Sequence, residues 1–197
     1  RKIFDPRDDP ILNYLDDDGR SIEPDFYMPT IPMVLVNGTE GIGTGFSCYV
    51  PPFNPKDIKE NIQRALEGHS FKDMSPWFRG FKGKIFKEDG TWITEGVWRD
   101  TGSRLKVTEL PPGRWTQDYK EYLDTLIEKK VISGFTNNST TEDVDFEIMG
   151  YTGKDILKDL KLRKSFHTSN MHLFHPVKGI YKYSSPEEIL KDFVDLR

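Results

Sequence analysis

Apolar positions recur along this chain with two periods, and the breaks between the periodic segments fall at proline and glycine. The run Ile31 to Val36 is bounded by both residue types, which predicts a short buried strand. Asn54-Pro55 reads as an N-cap followed by proline in the first turn. Ile58, Ile62, Ala65 and Leu66 then keep helical spacing until Gly68 closes the helix. From Gly83 to Leu110 the pattern alternates, with turn signals at Glu88-Asp89-Gly90 and Asp100-Thr101-Gly102. That predicts an antiparallel meander ended by Pro111-Pro112-Gly113. A helix capped by Thr116 should carry Tyr119, Tyr122, Leu123 and Leu126 on one face. Strands are expected near 131–136 and 143–149, then a helix from Gly153-Lys154 to about Leu160, then a strand over Phe166 to Phe174. Ser185-Pro186-Glu187-Glu188 opens a final helix with Ile189, Leu190, Phe193 and Leu196 as its apolar stripe. The fold class is therefore α+β, with short mixed and antiparallel strands and interspersed helices. A loop-rich arm over 1–50, acidic over 1–30, precedes an α+β domain over 51–197.

The stretch Asn37-Gly38-Thr39-Glu40-Gly41-Ile42-Gly43-Thr44-Gly45 stands out because the eight residues from Gly38 to Gly45 hold four glycines. Glycine permits positive φ and lets a backbone come close to a partner. Ile42, β-branched and apolar, sits between two of them. One reading makes it a plug folded back under its own loop, the commoner fate of an apolar side chain. The other makes it a wedge pushed between stacked bases. The glycines also suggest a dinucleotide fingerprint, but that motif must open a helix. Phe46 to Pro52 looks extended and is then broken by proline.

Composition narrows the function classes. The 197 residues include 36% hydrophobic and 30% charged ones, with no apolar run near the length of a membrane span. The single cysteine, Cys48, excludes an internal disulfide framework and reads as structural. The net charge of −4 is unusual for a free-standing nucleic-acid binder, whose affinity comes largely from neutralised phosphates. Residues 71–84 run against that balance: Lys72, Arg79, Lys82 and Lys84 face the single acid Asp73 and are interleaved with Phe71, Trp77, Phe78 and Phe81. This suits a phosphate-contacting surface, or equally strand edges guarded by lysine. Lys154, Lys158, Lys161, Arg163 and Lys164 concentrate charge around the helix end expected there, where they either complement its dipole or offer another phosphate track. No metal site is read. Asp16-Asp17-Asp18-Gly19 lacks the alternating ligands of a calcium loop and reads as a solvated turn. His167, His172 and His175 match no zinc spacing.

The run Pro32 to Gly45, with Glu23-Pro24-Asp25-Phe26-Tyr27 before it and Trp115-Thr116-Gln117-Asp118-Tyr119-Lys120-Glu121 after it, closely resembles the eukaryotic-type type IIA DNA topoisomerases. Within that family it resembles the tower, the segment that follows the catalytic winged-helix domain, and the end of the chain looks like the lead into the family's coiled coil. The resemblance implies that Ile42 intercalates and bends the gate duplex, with Asn37, Gly41, Gly43 and Thr44 beside it. It makes Lys120, which lies inside the matched motif, a candidate phosphate contact beside Arg79, Lys82 and Lys84 of the basic-aromatic stretch. Arg114 stands one position away from the family's usual basic residue. The parent enzyme would be a homodimer acting on double-stranded DNA with ATP and Mg2+, both bound outside this chain. It would be nuclear if cellular, or cytoplasmic if viral, and not a membrane protein. The family's nucleophilic tyrosine follows an arginine, and no Arg-Tyr pair occurs here; Tyr14 occupies an ordinary aromatic position. Two other readings stay open: a phosphate- or nucleotide-binding enzyme domain using the 38–45 loop as an anion nest, and a protein-interaction module.

Overall fold

The computed structural model describes residues 3–175 and 177–197. Its packing divides into two units, one made of the chain up to Trp77 together with Thr168–Arg197, the other of Phe78–His167.

The first unit begins with a 3-10 helix, Pro6–Ile11, capped by the Asp5 side chain. A hairpin of β1 (Tyr14–Asp17) and β2 (Arg20–Pro24) follows, where the sequence suggested only loop. Its turn is the Asp16-Asp17-Asp18-Gly19 stretch, in which the Gly19 amide donates to Asp16 Oδ1 at 3.0 Å. The run at Ile31–Val36 is not a strand as expected. It forms a short helix, α1 (Met33–Asn37), with Pro32 as N-cap and Leu35 fully buried. One helical turn satisfies the amides of Leu35 and Val36 on the Pro32 carbonyl, and Gly38 at φ +69° then redirects the chain. A second hairpin, β3 (Thr39–Gly43) and β4 (Phe46–Val50), carries the glycine-rich stretch. Then comes α2 (Pro55–Leu66), where Asn54 Oδ1 accepts from the Lys56 amide as the sequence predicts. Ile58 is buried on its inner face, whereas Leu66 is exposed beyond the last packed turn.

In the second unit β5 (Lys84–Glu88), β6 (Thr91–Glu95), β7 (Val97–Asp100) and β8 (Arg104–Glu109) are antiparallel with turns where expected, yet they do not form one meander. The chain changes sheet at Gly96, whose backbone lies so close to the Glu109 carbonyl that a Cβ there would meet it at 2.3 Å. Helix α3 (Thr116–Glu128) is capped by Trp115 without a side-chain bond, so Thr116 is its first residue and not its cap. Strands β9 (Gly134–Asn137) and β10 (Phe146–Met149) complete a sheet of order β7-β8-β10-β9. Tyr119, Leu123 and Leu126 of α3 pack on Leu105, Val107, Phe146 and Ile148 of that sheet. The helix expected from Gly153 is a single turn, α4 (Ile156–Asp159), started by Asp155. Arg163 and Lys164 are therefore not at a helix end. They open β11 (Arg163–Phe166), which pairs with β6 in a sheet of order β11-β6-β5.

The segment Phe166 to Phe174, expected as one strand, is split between the units. Its second half becomes β12 (Met171–His175), paired with β13 (Gly179–Tyr183). The last helix, α5 (Pro186–Leu196), is capped by Ser185, whose Oγ accepts from the Glu188 amide. Leu35, Val50, Phe53, Ile58, Met171, Tyr183, Ile189 and Leu190 form the core of the first unit. No helix among the described residues is long and apolar enough to cross a membrane.

Candidate nucleic-acid interface

The β3–β4 hairpin explains two of the four glycines by backbone geometry. Gly38 (φ +69°) and Gly45 (φ +80°) occupy the left-handed region that favours glycine, and Gly38 is also hemmed in by the Val50 carbonyl and Pro52. Gly41 and Gly43 need no such conformation, and a Cβ on Gly41 would meet nothing within 4 Å. Glycine inside a strand costs about 0.5–1 kcal/mol against alanine. Among the described residues neither backbone conformation nor a neighbouring atom calls for glycine at 41.

Between them Ile42 is 92% exposed. A plug would be buried, so that reading falls. It pairs across the hairpin with Ser47, at the outer end of a two-stranded ribbon. The hairpin is held on its β4 side: the Tyr49 amide donates to the Asn170 carbonyl at 2.9 Å, and Asn170 Nδ2 donates to Ser47 Oγ at 2.5 Å. His172 Nδ1 lies 3.1 Å from the Ser47 carbonyl. An exposed apolar side chain on an anchored ribbon can be driven into a stack of bases without the ribbon yielding. The glycines open no helix, since β4 follows directly, so the dinucleotide fingerprint has no structural counterpart. Asn37 and Thr44 are exposed at the base and tip of the same hairpin.

The basic candidates fall in the second unit. Arg79, Lys84 and Lys120 are exposed and make no ion pair among the described residues. Lys82 reaches Asp143 at 3.2 Å, an exposed pair worth at most about 1 kcal/mol and easily exchanged for a phosphate. Lys72, in the first unit, is engaged by Glu60. Its backbone is engaged too, clamped by the buried Asn61, which donates to the Lys72 carbonyl and accepts from the Lys72 amide.

Arg114 precedes α3, and its Nε is buried without a hydrogen-bond acceptor among the described residues. Beneath it Tyr119 is fully buried and its hydroxyl is likewise unpartnered. Burial pushes the Tyr119 phenol far above its ordinary range and neighbouring Tyr122 adds to this, while the Arg114 guanidinium opposes both. The cation thus lies near the N-terminus of a 13-residue helix, a place where an anion is favoured. Lys164, whose Nζ donates to the Pro112 and Gly113 carbonyls at 3.2 and 3.4 Å, braces the same turn.

The histidines have other occupations. His175 Nε2 is 3.3 Å from Asp192, and His172 faces Ser47. Sequence reasoning expected a strand over Phe166 to Phe174, which covers most of β12, but missed β13 and the hairpin it forms.

The model of the family described as the A subunits of DNA gyrase/topoisomerase IV matches residues 1–197. DNA topoisomerase 2 of Pisum sativum is 41% identical over all of this chain and 14% of its own length. The mitochondrial DNA topoisomerase 2 of Dictyostelium discoideum is 43% identical over all of this chain and 16% of its own. This chain therefore spans about a seventh of the length of those two relatives. The crystal structure of the Plasmodium falciparum topoisomerase II DNA-binding, cleavage and re-ligation domain superposes with a TM-score of 0.90 at 40% identity, covering 100% of this chain and 28% of that one. With its whole length matched by that model, the chain belongs to the DNA gyrase/topoisomerase IV family of A subunits.

Proposed function

We propose that this chain binds and bends duplex DNA as part of an ATP-dependent type IIA topoisomerase that passes one duplex through another. The observation that carries this is Ile42, 92% exposed between two glycines on an anchored hairpin. Unstacking one base step costs a few kcal/mol, and a sharp bend over a short site costs up to about 10 kcal/mol more. Burying one isoleucine returns only about 1.5–3 kcal/mol. The difference must come from phosphate contacts, for which Arg79, Lys82, Lys84, Arg114 and Lys120 are the candidates. Asn37 and Thr44 supply neutral hydrogen-bonding groups beside the wedge, and Gly41 and Gly43 let the backbone approach. In a homodimer two such wedges would share the bend. Flexible pyrimidine–purine steps would be favoured, without strict sequence specificity.

The arm at 1–50 would present the wedge, and 51–197 would support it as the tower. The described residues bring together no group of three or more His, Cys, Asp or Glu that could hold a metal ion, and the glycine stretch is a hairpin and not a nucleotide loop. As the family resemblance implies, Mg2+ and ATP would be held by other parts of the full-length protein. Cleavage would also depend on them, as no Arg-Tyr pair occurs in this chain. A nuclear location fits relatives from eukaryotes, although one of those relatives is named as mitochondrial.

Titrating the chain with a labelled duplex at several salt concentrations, and separately with a mononucleotide, tests the proposal. Weak duplex binding that falls steeply with salt, and whose slope drops by about one for each of Lys84 and Lys120 neutralised, is the expected result. Tight mononucleotide binding with salt-insensitive duplex binding would favour the anion-nest reading.

A further inference from the structure

The β12–β13 hairpin carries an outward face that the DNA-contact candidates do not include. Its register pairs His172 with Lys182 and Phe174 with Ile180. Side chains alternate across a strand, so these four share one face, while Met171, Leu173, Tyr181 and Tyr183 share the other. The second set is turned inward: Met171 and Tyr183 belong to the core, and Glu188 and Asp192 of α5 accept from the Tyr181 and Tyr183 hydroxyls at 2.8 and 2.9 Å. In the first set Phe174 is 84% exposed, Ile180 and Lys182 are exposed and His172 is half-buried, and Val177 in the connecting turn is 87% exposed. Neither strand bears a carboxylate, in a chain whose net charge is −4. Lys182 makes no ion pair among the described residues, whereas Lys178 rests on the Tyr181 ring at 4.4 Å.

This face is continuous with the wedge. Phe46 of the β3–β4 hairpin meets the His172 ring edge-on with centroids 5.9 Å apart. Ile42, Phe46, His172, Phe174 and Ile180 line a single cleft of about 460 Å3 between the two hairpins. A lysine beside exposed apolar side chains, with no acid among them, matches a surface that follows a phosphate backbone and packs on the sugars and bases beside it.

We propose that the β12–β13 hairpin is a second DNA-contacting element, placing Phe174 against the sugar edge beside the step that Ile42 opens and Lys182 on a neighbouring phosphate. It rests on the DNA-bending reading of the first hairpin. Duplex DNA is the occupant, because the face continues from the wedge and offers a lysine and apolar groups but no carboxylate for a basic partner.

Lys182→Gln and Phe174→Ala in the full-length protein test it, read by duplex affinity against salt, hydroxyl-radical footprinting of the duplex and melting temperature. Each phosphate contact contributes about 0.9 to the salt slope, so Lys182→Gln should lower that slope by about 0.9 and weaken binding about eightfold at roughly 0.1 M salt. Phe174→Ala should expose the sugars flanking the bent step while leaving the bend and the melting temperature unchanged. Both variants binding and footprinting like the parent, while the parent bends DNA, would overturn the second contact alone. So would a Phe174→Ala protein that melts several degrees lower with an unchanged footprint, since the tip would then pack on protein. A parent with no salt-sensitive duplex binding would overturn both proposals.

Discussion

Single residues separate what the hairpin needs in order to fold from what it offers to a partner. Gly38→Ala would place a Cβ 2.7 Å from the Val50 carbonyl in a left-handed conformation, so both sterics and backbone strain oppose it. A loss of about 1–3 kcal/mol is expected. Gly41→Ala has open space and ordinary backbone geometry, so it should fold as stably as the parent or slightly more so. If a duplex lies against the bare backbone, Gly41→Ala should nevertheless weaken DNA binding. Denaturant titration and a binding isotherm on the same two proteins check both statements. The sequence revealed that this stretch was special and named Ile42. It did not reveal which glycines serve the turn, because that depends on φ and on neighbours such as Pro52 that only the folded hairpin brings together.

Helices with strong caps were legible as elements. Asn54 before Pro55 and Ser185 before Pro186 both accept the amides that the sequence implies. What failed were short apolar runs and sheet membership. Ile31–Val36 satisfies the length and composition of a strand, but its hydrogen bonds close on Pro32, and periodicity over so few residues does not separate the two states. The meander divides at Gly96 because of a close approach to Glu109, a residue 13 positions away.

Two contacts give tests at the level of elements. Asn61 is buried and satisfies both the amide and the carbonyl of Lys72. Asn61→Ala should therefore cost about 1–3 kcal/mol by stranding those groups, readable as a lower denaturation midpoint with the α2 helix retained. Asp159 accepts from the Tyr151 hydroxyl and from the Asp155 and Lys154 amides, which hold its carboxyl below the ordinary carboxylate range. A depressed carboxylate stabilises above its unfolded pKa, and that contribution is lost as pH falls through the folded value. The deficit of Asp159→Asn should accordingly be largest at neutral pH and shrink on acidification below about pH 4. A deficit independent of pH would mean that the charge is not what these donors hold.

At the scale of the molecule, an acidic chain can suit DNA by the distribution of its charge and not by the total. The net charge of −4 coexists with basic positions at Arg79, Lys84, Arg114, Lys120 and Lys182 that lack a carboxylate partner among the described residues. The family resemblance made the wedge legible, whereas the β12–β13 face was hidden because sequence reasoning does not identify its partner strand, Gly179–Tyr183, and the register brings the two together only in the fold. In the proposed function everything turns on Ile42 bending DNA by its size and apolarity. The most direct measurement is the end-to-end distance of a doubly labelled duplex bound to the full-length protein, compared between the parent and Ile42→Ala, with melting temperature recorded on both. A side chain 92% exposed contributes little to the core, so the melting temperature should not move. The ends of the duplex should move apart as the bend relaxes, since alanine is too short to hold a base step open. A destabilised Ile42→Ala protein that still bends the duplex as the parent does would contradict the wedge.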